Sequence, residues 1–287
     1  MGELTRPSVV AEILERHGIR LSRSLGQHFL VDANVLHRIL EGAELGPGDT
    51  VLEIGPGIGT LTEELCDRAG RVVAVELDPR LKSVLDGLLG KRPNLVTVLG
   101  DAMRVDLSGL LSPWEEVKVV SNLPYSVATP LLLRIMRELP QVRLLVVTVQ
   151  RELADRYLAA PGDPSYGAVS VKMQFLARLR RLTQVPPTVF LPPPRVGSTV
   201  LRLERVGPEP GSGDVQSFFL FLDACFSARR KMLVNALGGG RRPYGTRDAV
   251  ASALRELGLH PTARAEELSP RDLRELYRLL NPPAHVG

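Results

Sequence analysis

Val51-Leu52-Glu53-Ile54-Gly55-Pro56-Gly57-Ile58-Gly59-Thr60 is the stretch on which the fold turns. Val51 to Ile54 reads as a buried strand, the glycines at 55, 57 and 59 as a tight turn, and a helix starts near Thr60. Glycine lets a backbone approach a ligand closely. Strand, glycine-rich turn and helix together form a nucleotide-type site. The G-x-G-x-G spacing differs from the dinucleotide G-x-G-x-x-G, and the Lys-Ser/Thr of a P-loop is absent. Alone, such a turn does not name a ligand.

Moving downstream, the next three strands each end in a polar side chain. The strand Val72 to Val75 ends in Glu76, 21 residues beyond Gly55, where an acid can accept both hydroxyls of a ribose. Asp78-Pro79 starts the following helix, Asp as cap and Pro in its first turn. Leu95 to Leu99 ends in Gly100-Asp101-Ala102, and Asp101 can accept the exocyclic amine of an adenine. Val117 to Val120 leads into Asn122-Leu123-Pro124-Tyr125. In open α/β sheets ligands bind at these carboxyl ends of strands. Any one polar residue could be a cap or an exposed edge; four successive strand ends are hard to read as structure alone.

The four residues Asn122, Leu123, Pro124 and Tyr125 suit one chemical problem. An exocyclic amine is a poor nucleophile because its lone pair is delocalised into the base. The Asn122 side-chain oxygen can accept one N–H and the Leu123 carbonyl another, which favours a pyramidal nitrogen with a localised lone pair. Pro124 fixes its own φ and offers no donor. Tyr125 offers a face for a base, and such stacking contributes roughly 1–3 kcal/mol. An ordinary strand-to-turn exit is the structural alternative.

Upstream, Gly26-Gln27-His28-Phe29-Leu30-Val31-Asp32 reads as a loop over a ligand, with Asp32 as N-cap of a helix Ala33 to Glu41. A lone His in such a loop is more often a hydrogen-bonding group than a catalyst, so His28 is assigned no proton transfer. Residues 1–24 hold a short amphipathic stretch, Val9 to Arg16, and Arg16, Arg20 and Arg23 are either a cationic approach or a solvated terminus.

Beyond the Asn122 strand, helices are expected over Thr129 to Leu139 and Arg151 to Ala159, with a strand Leu144 to Val149 between them. Pro161 to Gly167 reads as a loop, and Val169 to Phe175 and Thr199 to Leu203 as the last strands. Between these sits Phe190-Leu191-Pro192-Pro193-Pro194, a stiff extended arm. Phe190 is either a cover for the second face of a stacked base or a core residue. Gly207 to Gly213 reads as a linker. Helices are expected after it over Val215 to Phe226, Ala228 to Leu237, Arg247 to Leu257 and Pro270 to Leu280. Residues 214–287 hold 11 Lys or Arg and 8 Asp or Glu, so most of the chain's net charge of +4 lies there. Arg229, Arg230 and Lys231, with Arg241 and Arg242, fit phosphate contacts, although each alone fits a solvated helix face.

At 287 residues, 44% hydrophobic and 24% charged, the chain has room for one large domain and a small one. The sequence pI of about 9.3 permits an anionic partner. Cys66 and Cys225 make neither a metal spacing nor a disulfide framework and read as buried thiols, so no metal is expected. No apolar run reaches about 18 residues and the N-terminus has no apolar signal core, so the expectation is a cytoplasmic protein without membrane contact.

GQHFLVD, EIGPGIGTLT, VELD, GDAM, SNLPY, VQRELADRY with YGAVSV, FLPPPRVGS and ARRKMLVNAL fall in one order from Leu25 to Leu280. In this the chain resembles the ribosomal RNA adenine dimethyltransferases, most of all their bacterial small-subunit branch. EIGPG alone is shared by many methyltransferases; the set together is specific. The resemblance implies a Rossmann-like α/β domain of seven strands, the last antiparallel, followed by a small all-helical domain. It implies a methyltransferase domain over 1–206, with 1–24 as an N-terminal extension, a linker over 207–213 and a helical RNA-binding domain over 214–287. S-adenosylmethionine is the implied methyl donor. His28, Leu30, Gly55 and Gly57 would line its methionine end, Glu76 would bind its ribose and Asp101 its adenine. Asn122 would serve donor and target, and Tyr125 with Phe190 would sandwich the base. Arg229, Arg230 and Lys231 would contact RNA. His28 stands where many members carry Asn, and Gly197 where many carry Asp.

The implied activity is dimethylation of N6 on two adjacent adenosines near the 3′ end of 16S rRNA in the small-subunit precursor, by a monomer. Three alternatives stand beside it. One is a 23S rRNA adenine N6-methyltransferase of the antibiotic-resistance type, which should lack the ARRKMLVNAL helix. Another is an assembly factor whose main work is binding. The third is a nicotinamide-dependent oxidoreductase, against which the glycine spacing argues.

Overall fold

A computed structural model of the chain describes residues 3–19, 27–206, 213–228, 231–239 and 244–281. The chain divides into two units: Met1–Ala154 with Arg178–Arg205, and Asp155–Ala177 with Val206–Gly287.

The first unit opens with helix α1 (Pro7–Arg16) and the two-residue strand β1 (Phe29–Leu30). It continues through α2 (Ala33–Ala43), β2 (Thr50–Ile54), α3 (Thr60–Arg68), β3 (Arg71–Glu76), α4 (Pro79–Leu89) and β4 (Leu95–Leu99). Then come α5 (Leu107–Leu111), β5 (Val117–Asn122), α6 (Ala128–Glu138), β6 (Val142–Gln150) and α7 (Arg151–Leu158), the last of which runs on into the second unit. After α8 (Ala168–Leu176), which lies in the second unit, the chain returns as β7 (Ala177–Val185), β8 (Phe190–Leu191) and β9 (Ser198–Arg205).

Seven strands form one sheet in the order β4-β3-β2-β5-β6-β9-β7. The first five are parallel, and β9 runs antiparallel to β6. β2 and β3 are buried along nearly their whole length, as expected where helices cover both faces of a parallel sheet. The strand order reverses between β2 and β5, so the carboxyl ends of these two strands frame a crevice. The register places Leu52 beside Val119, and two residues on Ile54 donates its N–H to the Ser121 hydroxyl at 2.7 Å. The glycine turn after β2 and the Asn122 turn after β5 therefore leave the sheet side by side.

A second, two-stranded sheet joins β1 to β8, with Phe29 opposite Leu191 and Leu30 opposite Phe190. The 26–32 stretch, expected as a loop, is thus pinned by a short strand to the proline arm. Asp32 caps α2 by accepting the Val35 N–H at 2.9 Å, and Asp78 caps α4 by accepting that of Arg80 at 3.0 Å.

In the second unit α9 (Gly213–Cys225), α10 (Leu233–Gly238), α11 (Arg247–Glu256) and α12 (Pro270–Leu280) join α8. Phe218, Phe221 and Tyr277 meet at its centre, with ring centroids 5.3–6.3 Å apart. Three expectations are corrected here. Val169 to Phe175, read as a strand, is helix α8. Its polar positions face inward bonds: the Ser170 hydroxyl donates to the Arg156 carbonyl, and the Gln174 amide to the carbonyls of Tyr157 and Ala159. The helix expected from Ala228 starts only at Leu233, because Met232 bridges to Arg264 as an extended residue. The segment 155–177, placed by sequence in a continuous 1–206 domain, groups with the C-terminal helices. Residues 207–212, most of the expected linker, lie outside the described residues, as do Arg20, Arg23, Arg229, Arg230, Arg241 and Arg242.

Candidate active site

One cavity opens at the carboxyl ends of β2, β3, β4 and β5, with β1 along its side. It is lined by His28, Leu30, Gly55, Gly57, Glu76, Asp101, Asn122, Leu123, Pro124 and Tyr125, among others. Ten positions spread over almost a hundred residues of sequence meet there: His28 leads into β1, and each of the others ends or follows a strand.

Asn122 ends β5. Its amide nitrogen donates to the backbone carbonyl of His28 at 3.0 Å. A carbonyl can only accept, so this bond fixes which way round the amide lies. The Asn122 oxygen is then left buried with no partner among the described residues. An unpaired buried acceptor costs about 1–3 kcal/mol, which an incoming N–H would recover. Leu123 follows, held by its own N–H donating to the Thr148 carbonyl at 3.2 Å. The Pro124 ring packs where Gly55 carries no side chain: a Cβ on Gly55 would lie 3.5 Å from Pro124 Cγ.

Tyr125 shares a 2.7 Å hydrogen bond with the Ser198 hydroxyl. Burial raises its pKa, partly offset by that bond, so the phenol stays neutral. The His28 imidazole stacks on the Tyr125 ring, with centroids 5.6 Å apart and planes 25° from parallel. His28 Nδ1 lies 2.7 Å from the Pro192 carbonyl. Because that oxygen only accepts, Nδ1 carries the proton. The β1–β8 pairing explains the contact, since it carries the residue before Phe29 to the residue after Leu191.

On the opposite wall, Glu76 accepts the Gly57 N–H at 3.0 Å through one oxygen and the Asp78 N–H at 2.9 Å through the other. Burial raises its pKa and these amides oppose the rise. Asp101 accepts the Met103 N–H at 2.8 Å and leaves its side chain partly exposed. Gly55, Gly57 and Gly59 all have positive φ, which accounts for the alternate spacing. At Gly57 the space is taken as well: a Cβ there would lie 2.6 Å from Phe29 Cε1.

These features fit a nucleoside-bearing methyl donor. A ribose would meet Glu76, an adenine amine Asp101, and the bare glycine turn leaves room for the chain between. Among the described residues no group of three or more His, Cys, Asp or Glu is placed to hold a metal ion.

Phe190 does not line the cavity. It is 2% exposed and packs with Leu30, Leu36, Leu40, Val120 and Val200, so of its two readings the core one holds in this structure. Its register partner in the small sheet is Leu30. Lys231 is exposed in the second unit and is no part of this cavity.

Sequence reasoning missed Glu53. It lines the cavity at 2% exposure, with one oxygen unpaired among the described residues. Burial, reinforced by the neighbouring charge of Glu76, pushes its pKa up to about 8. The signal was a single acid inside an otherwise apolar strand. Ser198 was missed too, since nothing local ties it to Tyr125 across 73 residues.

Comparison with known proteins bears on the chemistry. The family model described as ribosomal RNA adenine dimethylase matches residues 18–281. The chain is 39% identical over 279 residues to the ribosomal RNA small subunit methyltransferase A of Shouchella clausii, covering 96% of this chain and 94% of that one. It is 38% identical to the protein of the same name from Bacillus cytotoxicus, covering 98% and 99%. Among solved structures, a dimethyladenosine transferase from Plasmodium falciparum superposes with a TM-score of 0.71 at 24% identity, over 86% of this chain and 95% of that one. The 23S rRNA methyltransferase ErmE gives 0.66 at 28% identity, over 88% and 98%.

Proposed function

Since the chain belongs to the ribosomal RNA adenine dimethylase family, we propose that it uses S-adenosylmethionine to dimethylate N6 of two adjacent adenosines near the 3′ end of 16S rRNA. The substrate is the small-subunit precursor in the cytoplasm, and the working form is a monomer without metal. The observation that carries the reading is the buried, unpaired side-chain oxygen of Asn122, a residue of the cavity wall. Relatives named for the small subunit stand at 38–39% identity, against 28% for the 23S enzyme, which favours the 16S substrate.

When bound, S-adenosylmethionine supplies an electrophilic methyl on a cationic sulfur. His28, Leu30, Gly55 and Gly57 hold its methionine end, Glu76 its ribose hydroxyls and Asp101 its adenine. The target adenosine leaves its stack, at a cost of a few kcal/mol, and rests on Tyr125. Its two N6–H groups donate to the Asn122 oxygen and the Leu123 carbonyl. That grip would localise the lone pair and orient the nitrogen towards the donor's methyl group. The same two oxygens stabilise the positive charge that grows on nitrogen during transfer. The methylated nitrogen then loses a proton to water, so no side chain need act as a strong base. In the second round one N–H remains, and one acceptor is freed to make room for the first methyl. Lys231, with Arg229 and Arg230, contacts RNA phosphates.

The test is transfer of labelled methyl to small subunits lacking the modification, followed by digestion and identification of the nucleosides. The reading expects N6,N6-dimethyladenosine at two neighbouring positions near the 3′ end of 16S rRNA. Label in the large-subunit RNA alone, or on another atom, would contradict it.

A further inference from the structure

Gln27 lines the cavity without a part in the reaction described above. Its side-chain amide donates to Asp78 Oδ2 at 3.0 Å, across 51 residues of sequence. A carboxylate only accepts, so this bond fixes which end of the amide is the nitrogen. Asp78 is 4% exposed. The Arg80 guanidinium bonds both of its oxygens and holds its carboxyl down to about 2, so the carboxylate stays charged. Through its backbone N–H the same Asp78 bonds Glu76 at 2.9 Å. The next residue after Gln27, His28, gives its carbonyl to the Asn122 amide at 3.0 Å. Residues 27 and 28 therefore tie the start of β1 to two walls, one at the turn after β3 and the other at the end of β5. We propose that Gln27 is a positioning residue for the methyl donor, and that its bond to Asp78 latches the 27–30 segment against the ribose wall. The inference rests on the reading of Glu76 as the ribose site and deepens it.

Asp78 acts on both ends of the donor from one place. Its N–H orients the ribose acid, and its side chain holds the segment that carries His28 and Leu30. Pairing with β8 secures Phe29 and Leu30, and Gln27 secures the chain just before them. A hydrogen bond to a buried charge is among the stronger kinds. Without the Gln27 amide, Asp78 keeps Arg80 and still caps α4, while the segment loses its tie. Chain freed in this way must be ordered again when the donor binds, and that cost reads as lost affinity. A direct contact between Gln27 and the donor would also lower affinity when removed, but it would do so whatever stands at Asp78. Coupling between the two residues separates these readings. Asp78→Ser withdraws the oxygen that Gln27 meets and leaves a good N-cap. Asp78→Asn keeps the shape and the cap and removes the charge.

The experiment is calorimetry with S-adenosylhomocysteine on wild type, Gln27→Ala, Asp78→Asn, Asp78→Ser and the two double variants. Thermal melts check that each is folded, and the Asp78→Asn pair keeps the test intact if Asp78→Ser does not fold. In the parent protein, Gln27→Ala should weaken binding at least about threefold, the loss of one charge-assisted hydrogen bond. The same change should cost less in Asp78→Asn and stay within about twofold in Asp78→Ser. Steady-state methylation should show the loss in KM for S-adenosylmethionine, with kcat at saturation within about threefold of wild type. The inference is overturned if Gln27→Ala costs the same factor in every background, which assigns the amide to the donor itself. It is overturned if the cost in the parent protein is smaller than expected, or if kcat falls while KM for the donor holds, which assigns the segment to the chemical step. Absence of S-adenosylhomocysteine binding by wild type would instead overturn the proposed function, and this inference with it.

Discussion

Glu53 is the residue whose chemistry is most out of keeping with its place. The carboxyl sits in a strand between Leu52 and Ile54, 2% exposed, with its pKa raised from the ordinary 4.5 to about 8. The folded chain therefore keeps this proton in a range where the unfolded chain has released it. Stability from the neutral form is full below the ordinary carboxylate range and is lost as pH rises towards about 8. Glu76 shifts in the same direction for the same reason, burial. In ligand-free protein, thermal melts should thus fall in Tm between about pH 5 and pH 8. The slope from one such group is at most about 1.4 kcal/mol per pH unit. Glu53→Gln, which is neutral throughout, should flatten that fall; parallel curves for the two proteins would show that the carboxyl titrates normally. Asn122, Glu76 and Asp101 could all be found in the sequence because each closes an apolar run. Glu53 lies within one, and Phe190 misled because an aromatic beside a proline arm reads alike whether it faces a ligand or the core.

At the scale of elements, the glycine turn shows how tightly the site is built into the sheet. Gly57 has φ +61° and no room for a Cβ beside Phe29. Gly57→Ala should cost roughly 1–3 kcal/mol, from the left-handed backbone and the displaced ring. It should also weaken S-adenosylhomocysteine binding, because the Gly57 N–H that orients Glu76 moves with it. Denaturant unfolding and calorimetry read the two effects, and an unchanged binding constant would mean that the turn does not position Glu76. Regular elements around this turn were legible because apolar period and caps agree, as at Asp32 and Asp78. The failures have physical causes. In α8 the residues Val169, Val171, Met173 and Phe175 alternate like a strand, yet Ser170 and Gln174 bond to neighbouring carbonyls inside a helical unit. β7 went unread because Arg178, Arg180 and Arg181 are exposed along a sheet edge and break the apolar run.

For the whole molecule, the decisive facts are the sheet order and the way the chain divides. Reversal between β2 and β5 brings the glycine turn and the Asn122 turn together; the strand-end pattern marked both turns but not the strand order. The division into units did not, because segment 155–177 joins helices far along the chain, and such a grouping leaves no local mark in sequence. Positive charge is concentrated late in the chain, with 11 Lys or Arg against 8 Asp or Glu in 214–287. Binding to the subunit should weaken as salt rises. Lys231→Ala should lower the slope of log affinity against log salt by about 0.7–0.9, the share of one phosphate contact. An unchanged slope would remove Lys231 from the RNA contact. The central claim concerns two oxygens, and one measurement reaches it most directly. It is the single-turnover rate of methyl transfer by wild type and Asn122→Ala, with S-adenosylmethionine and unmodified small subunits both saturating. Loss of one preorganised partner at the reacting atom should slow the step by about a hundredfold or more. A rate within a few-fold of wild type would mean that the Asn122 oxygen does not hold the amine.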